Sequence, residues 1–208
     1  MNSKLPLWLK LGFTAFVVLW VPVYVRHLGP QNFLWLCDLA NLLILAGLWL
    51  ESRLLLSSQL TSVLAIGVVW SVDLAGAFFF GVHPLGATQY MFNPEIPLHV
   101  RLLSLFHGGV WPLVMFAVIR VGYDARGWRL QTLICWLVLP ATFLLTQPAR
   151  EINWVWGAFG SQQTWMPAWA YLLVCMAAYP LIIYLPTHGL VLLARRLLPK
   201  SNTEAPLH

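Results

Sequence analysis

Charge is what this chain has least of. Only 9% of its 208 residues are Asp, Glu, Lys or Arg, where a water-soluble domain carries about 25%. Such a chain cannot cover itself with solvated side chains, which excludes a soluble enzyme. Acids are scarcer than bases, seven against twelve. The bases are spread among the ends of apolar segments rather than gathered in one run, so nucleic acid is not expected as a partner. Cysteine is nearly absent too. Cys37, Cys135 and Cys175 stand alone in apolar segments without CxxC or CxxH spacing, which argues against a disulfide framework or a zinc site. By residue type each is a small buried hydrophobe, and no metal or cofactor is expected. The apolar segment after Lys4 lacks an A-x-A cleavage pattern, so it is read as a retained helix rather than a signal peptide.

What the chain has is apolar length. It is 60% hydrophobic with twelve Trp and six Tyr, the residues that collect at membrane interfaces. A run of ~20 apolar residues spans a bilayer core. The pattern gives an all-α, polytopic membrane protein. It is a single domain over 1–208, a six-helix transmembrane bundle with helices at 6–25, 33–50, 55–80, 98–121, 128–147 and 165–195. Breaks fall at His27-Leu28-Gly29-Pro30, Glu51-Ser52-Arg53, Gly81 to Pro97, Tyr123 to Gly127 and Gln147-Pro148. The third and sixth exceed a bilayer and should tilt or protrude; Pro180 and Pro186 should kink the sixth.

Six spans put both termini on one side. That side carries Lys4, Lys10, Arg53, Arg120, Arg126, Arg129, Arg195, Arg196 and Lys200, nine bases, against Arg26, Arg101 and Arg150, three, opposite. The positive-inside rule makes the nine-base side cytoplasmic and the chain an integral protein, expected in a bacterial cytoplasmic membrane. The long connections 81–97 and 148–164 are then external. Their aromatic content fits either interfacial anchoring or a lid over a lipid-accessible pocket.

Charged and polar groups inside spans are costly and mark interior faces. Cys37, Asp38 and Asn41 on the second helix, Asp73 on the third and His107 on the fourth lie ~8, ~10 and ~15 Å below the outer helix ends by helical rise. Trp70 shares a face with Asp73; Ser104 and Trp111 flank His107, and Gly108 and Gly109 permit close approach. A thiolate nucleophile at Cys37, with His107 as base and Asp38 or Asp73 orienting the imidazole, would perform acyl transfer or ester hydrolysis. Asn41 or Asn153 would donate to an oxyanion. The structural alternative has Asp38 capping a re-entrant turn, Asp73 paired with Arg101, and His107 bonded to a backbone carbonyl.

Four segments in order, FLWLCDLANLL at 33–43, SLFHGGVWPLVMF at 104–116, EINWVWG at 151–157 and TWMPAWAYLLVCM at 164–176, resemble the YwaF-like integral membrane proteins. That family includes a human transmembrane acyltransferase acting on ether phospholipids, and the chain is similar to its bacterial members. The resemblance implies Cys37 as an acyl-accepting nucleophile, His107 as its partner and Asn153 as a further site residue. Glu151 and Trp154 depart from the family's Asn-x-Asn-Tyr. The expectation is a lipid-modifying enzyme whose partner is a membrane lipid. The alternative is a non-catalytic lipid- or small-ligand-binding subunit, within a larger membrane complex or a homo-oligomer. A proton-coupled transporter ranks last, because the cytoplasmic half shows few polar residues.

Overall fold

The computed structural model describes residues 3–158 and 163–197; Lys200 and residues 159–162 of the second long connection lie outside them. The described chain is helical: α1 (Leu7–Leu28), α2 (Leu36–Leu50), α3 (Arg53–Phe80), α4 (Leu98–Leu103), α5 (Phe106–Val121), α6 (Gly127–Leu145), α7 (Ala168–Ala178) and α8 (Leu185–Leu197). No strand occurs among the described residues. Five helical stretches, 7–28, 53–80, 98–121, 127–145 and 168–197, are long and apolar enough to cross a membrane, and Leu36–Leu50 is apolar but shorter. The exposed side chains include Val18, Phe78, Phe79, Phe80, Ile119, Leu144 and Ile182, an exterior suited to lipid rather than water.

Local chemistry sets each boundary. Gly29 at φ 78° ends α1, and Pro30 opens a 3-10 turn over Pro30–Leu34 that stops at extended Trp35. The second helix therefore starts at Leu36, three residues after the predicted 33. Ser52 caps α3, its Oγ accepting from Leu55 N at 3.3 Å, and Gly81 at φ 65° closes that helix. The predicted 98–121 helix breaks between α4 and α5 at Ser104 and Leu105. The last helix widens into π turns over Tyr179–Tyr184, next to Pro180, which has no N–H to continue the α ladder.

α3 is the central post. Eight consecutive residues, Leu56 to Val63, are buried on it, because α2, α5 and α6 all pack against this helix. Gly127 makes the closest approach: a Cβ there would meet the Ser57 carbonyl carbon at 2.7 Å. The larger core joins α1 through α5 around Trp20, Ile44, Leu48, Leu56 and Val114. A smaller one under α6 to α8 centres on Cys135, Leu139, Val155 and Tyr184. Both Cys135 and Cys175 are buried there as hydrophobes.

The two ends of the bundle differ. At the short-loop end Glu51, left-handed at φ 47°, gathers the start of the chain. Its carboxylate accepts from Ser3 Oγ, from Lys4 N at 3.0 Å and Leu5 N at 3.2 Å, and from Lys10 Nζ at 2.8 Å. Lys10, Ser3 and these amides hold the carboxyl down from 4.5 to about 2. A depressed carboxylate adds stability above its unfolded value and loses it as pH falls through the folded one. Thermal stability of the wild type is therefore expected to drop more than that of Glu51→Gln between pH 4.5 and 2. Parallel melting curves for the two proteins would refute the clasp.

Candidate functional site

The long-loop end is where polar side chains meet. Because α2 begins late and α5 begins after a break, Cys37 and His107 each occupy the second position of a helix. The sequence reading set Cys37 and Asp38 ~8 Å below a helix end; they lie instead in the first turn of α2. Asp38 is 2% exposed and accepts a hydrogen bond from Asn32 Nδ2 of the preceding 3-10 turn. Its role as a cap for that turn, weighed as the structural alternative, is the one the hydrogen bond supplies.

His107 bonds through Nδ1 to the Ser104 carbonyl oxygen at 2.9 Å. A carbonyl only accepts, so Nδ1 carries the proton in the neutral ring and Nε2 presents its lone pair. The ring is stacked between Trp70 at 5.2 Å and Phe106 at 4.0 Å. Trp70 donates from Nε1 to the Tyr90 hydroxyl at 3.2 Å. The Ser104 hydroxyl pairs with the Tyr24 hydroxyl at 2.6 Å.

Tyr90 brings this group within electrostatic reach of α2. Burial pushes its phenol up to about 12; the Ser104 and Trp70 side chains pull it down, and Cys37 and Asp38 push it up further. It reaches this position because the 81–97 connection dips back into the bundle. Asp73, seven residues below the end of α3, holds that dip: its carboxylate accepts from Leu85 N at 2.7 Å, Thr88 N at 2.9 Å and Thr88 Oγ1 at 2.7 Å. Thr88 is completely buried. Irregular backbone at this depth is tolerated because protein surrounds it.

Three expected roles are corrected. Asp73 is spent on the 81–97 connection, so it does not orient His107, whose Nδ1 is held by Ser104. Nor does it pair with Arg101, which donates to Ile96 O at 2.9 Å and Met91 O at 2.8 Å. Asn153 has no donor to spare for an oxyanion. Its Oδ1 accepts from Leu36 N at 2.9 Å, the first amide of α2. Its Nδ2 donates to Leu34 O at 2.7 Å and Thr142 Oγ1 at 3.1 Å. Glu151, Asn153 and Trp154 all take positive φ, between 52° and 54°, and Arg150 reaches Leu28 O. The second connection is thereby latched onto the ends of α1 and α2.

The other candidates divide. Trp70 belongs to the cluster by its stack and its bond to Tyr90. Trp111 packs on α3, where a Cβ on Gly67 would meet its Cδ1 at 2.6 Å, and its Nε1 is buried without a partner. Asn41, one turn below Asp38, is fully buried with both amide atoms unpartnered. Cys37 is half-buried, and among the described residues no hydrogen bond joins its sulfur to His107. Gly108 faces Ser71 and Trp70, whereas Gly109 opens on free space in an apolar groove of about 350 Å³ lined by Phe13, Phe16, Phe106 and Leu113. Sequence reasoning missed Tyr24, Asn32, Tyr90 and Thr88. The first lies within the predicted helix 6–25 and the others between predicted helices, and only their partners reveal them.

A second polar group was also missed, in the short-loop half. Ser57, Ser58, Gln59, Thr61, Ser62, Gln131 and Thr132 are all buried. The premise that this half holds few polar residues counted charges and passed over the run SSQLTS at 57–62. The described residues contain no cluster of three or more His, Cys, Asp or Glu able to hold a metal. No family model, curated protein or solved structure matches the chain.

Proposed function

We propose that the chain is an intramembrane lipid-modifying enzyme that carries out cysteine-dependent acyl transfer or ester hydrolysis on a phospholipid. The long-loop end would face outward and both termini the cytoplasm, with α2 as a sixth span in a bacterial cytoplasmic membrane. The observation that carries the reading is the His107 ring, fixed in one tautomer with Nε2 left as a base, and stacked on Trp70, whose partner Tyr90 lies within electrostatic reach of Cys37 and Asp38. The ordered resemblance of four segments to the YwaF-like family supports the same assignment.

In the proposed reaction the Cys37 sulfur attacks an ester carbonyl while its proton passes to His107 Nε2. The lysolipid oxygen leaves with that proton, and a thioester remains on Cys37. Attack on it by a second hydroxyl gives acyl transfer; attack by water gives hydrolysis. The apolar groove beside Phe106 is suited to the acyl chain, since it runs along the helix that carries His107.

The test is a mass measurement of the intact protein after incubation with an acyl-chain probe. Wild type is expected to gain one acyl group, and Cys37→Ser none. Equal gain in both proteins removes the nucleophile assignment. Gly109→Leu, whose Cβ meets no atom within 4 Å and whose side chain fills the groove, is expected to slow labelling about tenfold, since misplacing a bound chain costs near-attack geometry. An unchanged rate excludes the groove from substrate binding.

A second reading, binding without chemistry, is favoured by the missing Cys37–His107 hydrogen bond and by the structural use of Asp73 and Asn153. It predicts a co-purified lipid or small ligand, within a homo-oligomer or with a membrane-protein partner, retained equally by wild type and Cys37→Ser.

A further inference from the structure

The buried polar group of the short-loop half has hydrogen-bonding capacity that the protein itself does not fill. Gln59 Nε2 donates to Ser58 Oγ at 3.0 Å and to Gln131 Oε1 at 3.1 Å, and Gln131 Nε2 donates to Ser62 Oγ at 3.1 Å. That leaves Gln59 Oε1, the Tyr184 hydroxyl and both amide atoms of Asn41 buried without partners. Residues Gln59 and Tyr184 are each 1% exposed and Asn41 0%. Unpaired amides at such burial are strongly disfavoured, so these atoms specify what should meet them.

Their chemistry is restrictive. Gln59 Oε1 requires a donor, Asn41 requires a donor and an acceptor, and Tyr184 serves as either. None of these groups carries charge, so an ion has no counter-charge here. Packing on every side limits the ligand to a few atoms. Water, which makes about three hydrogen bonds to such groups, meets all of these conditions.

Register links the separate atoms. Gly47 of α2 packs on Leu56 of α3, and the two helices run antiparallel. Six residues toward the long-loop end, Asn41 stands level with Ser62. One turn further is Asp38. At the other extreme Asp124 N, in the surface connection before α6, donates to Ser57 Oγ at 2.9 Å. Tyr184 sits on the π-turn segment, where the wide turn brings its phenol beside Gln131 and Cys135.

We propose that the short-loop half binds ordered water between Gln59, Gln131 and Tyr184, and that a hydrated file continues past Ser62 and Asn41 to the Asp38 and Cys37 end. The water site stands on the unpartnered atoms. Its use as the attacking water for a Cys37 thioester rests on the function proposed above, and it makes that reaction a hydrolysis: water oxygen bonds to the acyl carbon, the carbon–sulfur bond breaks, and one water proton returns to sulfur.

X-ray hydroxyl-radical footprinting of the full chain in lipid nanodiscs tests the site, because radicals form from water lodged beside the modified residue. Tyr184 is expected to be modified at least tenfold faster than Phe13, a buried residue on the wall of the apolar groove, and Gln131→Met should remove most of that difference. A Tyr184 rate no higher than that of Phe13 overturns the water site, and the wild-type comparison holds even if the variant fails to fold. For the delivery step, Gln131→Met is expected to form acyl-Cys37 at the wild-type rate and lose it about tenfold more slowly in water. Unchanged loss overturns the route. If no acyl adduct forms on wild type, the proposed function fails while the footprint alone decides the water site.

Discussion

Asp73→Ala is expected to lower stability by about 3–5 kcal/mol. The carboxylate accepts three hydrogen bonds, two of them from backbone amides of the 81–97 connection. Bonds to a charged acceptor contribute roughly 1.5–3 kcal/mol each and do not add fully. Alanine also leaves the Thr88 amide and hydroxyl buried without an acceptor, which is the more costly half of the change. The Leu85 and Thr88 amides should lose their hydrogen-exchange protection, while amides of α6 keep theirs. Asp73→Asn should fall between, because its carbonyl can satisfy one amide while its NH2 group opposes the other donors. Full protection at Thr88 in the alanine variant would show that the dip is held by something else.

Asn153→Ala is expected to cost about 2–4 kcal/mol, by two separable routes. One is the loss of the side-chain bonds that join α2, the Leu34 carbonyl and Thr142, in the range of a lost helix cap plus a buried hydrogen bond. The other is backbone strain: φ is 52° at this position, a region where Asn is tolerated better than Ala. Asn153→Gly removes the strain and keeps the bond loss, so it should be more stable than Asn153→Ala by about 1 kcal/mol. Because the latch fixes the first turn of α2, both variants should expose Cys37 and raise its reaction rate with a water-soluble maleimide. Equal maleimide rates in wild type and Asn153→Ala would detach the latch from the site.

These two residues also mark how far sequence reading carries. Apolar run lengths with Gly, Pro and charged breaks placed the helices to within a few residues. That signal is local, since each span must satisfy its own backbone in lipid. The late start of α2 was invisible because Phe33 and Leu34 are as apolar as any helical residue, and the 3-10 turn that holds them depends on Pro30 and on packing. Depth counting found Asp73 and His107 as unusual residues, the resemblance pointed to Asn153, and all three are engaged in buried polar contacts. It could not assign their roles. A buried carboxylate that orients an imidazole and one that holds a loop look alike in a sequence. The difference is made by Thr88, which looks like any polar loop residue until the chain folds back. The buried polar group was missed for the opposite reason: serine, threonine and glutamine carry no charge, so SSQLTS did not stand out within its apolar helix.

The Glu51 clasp and the Asn153 latch grip the first two helices at opposite ends, and the ribosome delivers them at different times. The partners of the Glu51 side chain all lie within the first ten residues, so that clasp needs nothing made after residue 51. The latch on α2 must wait for residue 153, 102 residues later, on the order of 5–20 s of synthesis. Through that interval α1 and α2 would form a hairpin fastened at its base and open at its top. Cys37 would be most open to modification in that window, before the last helices arrive.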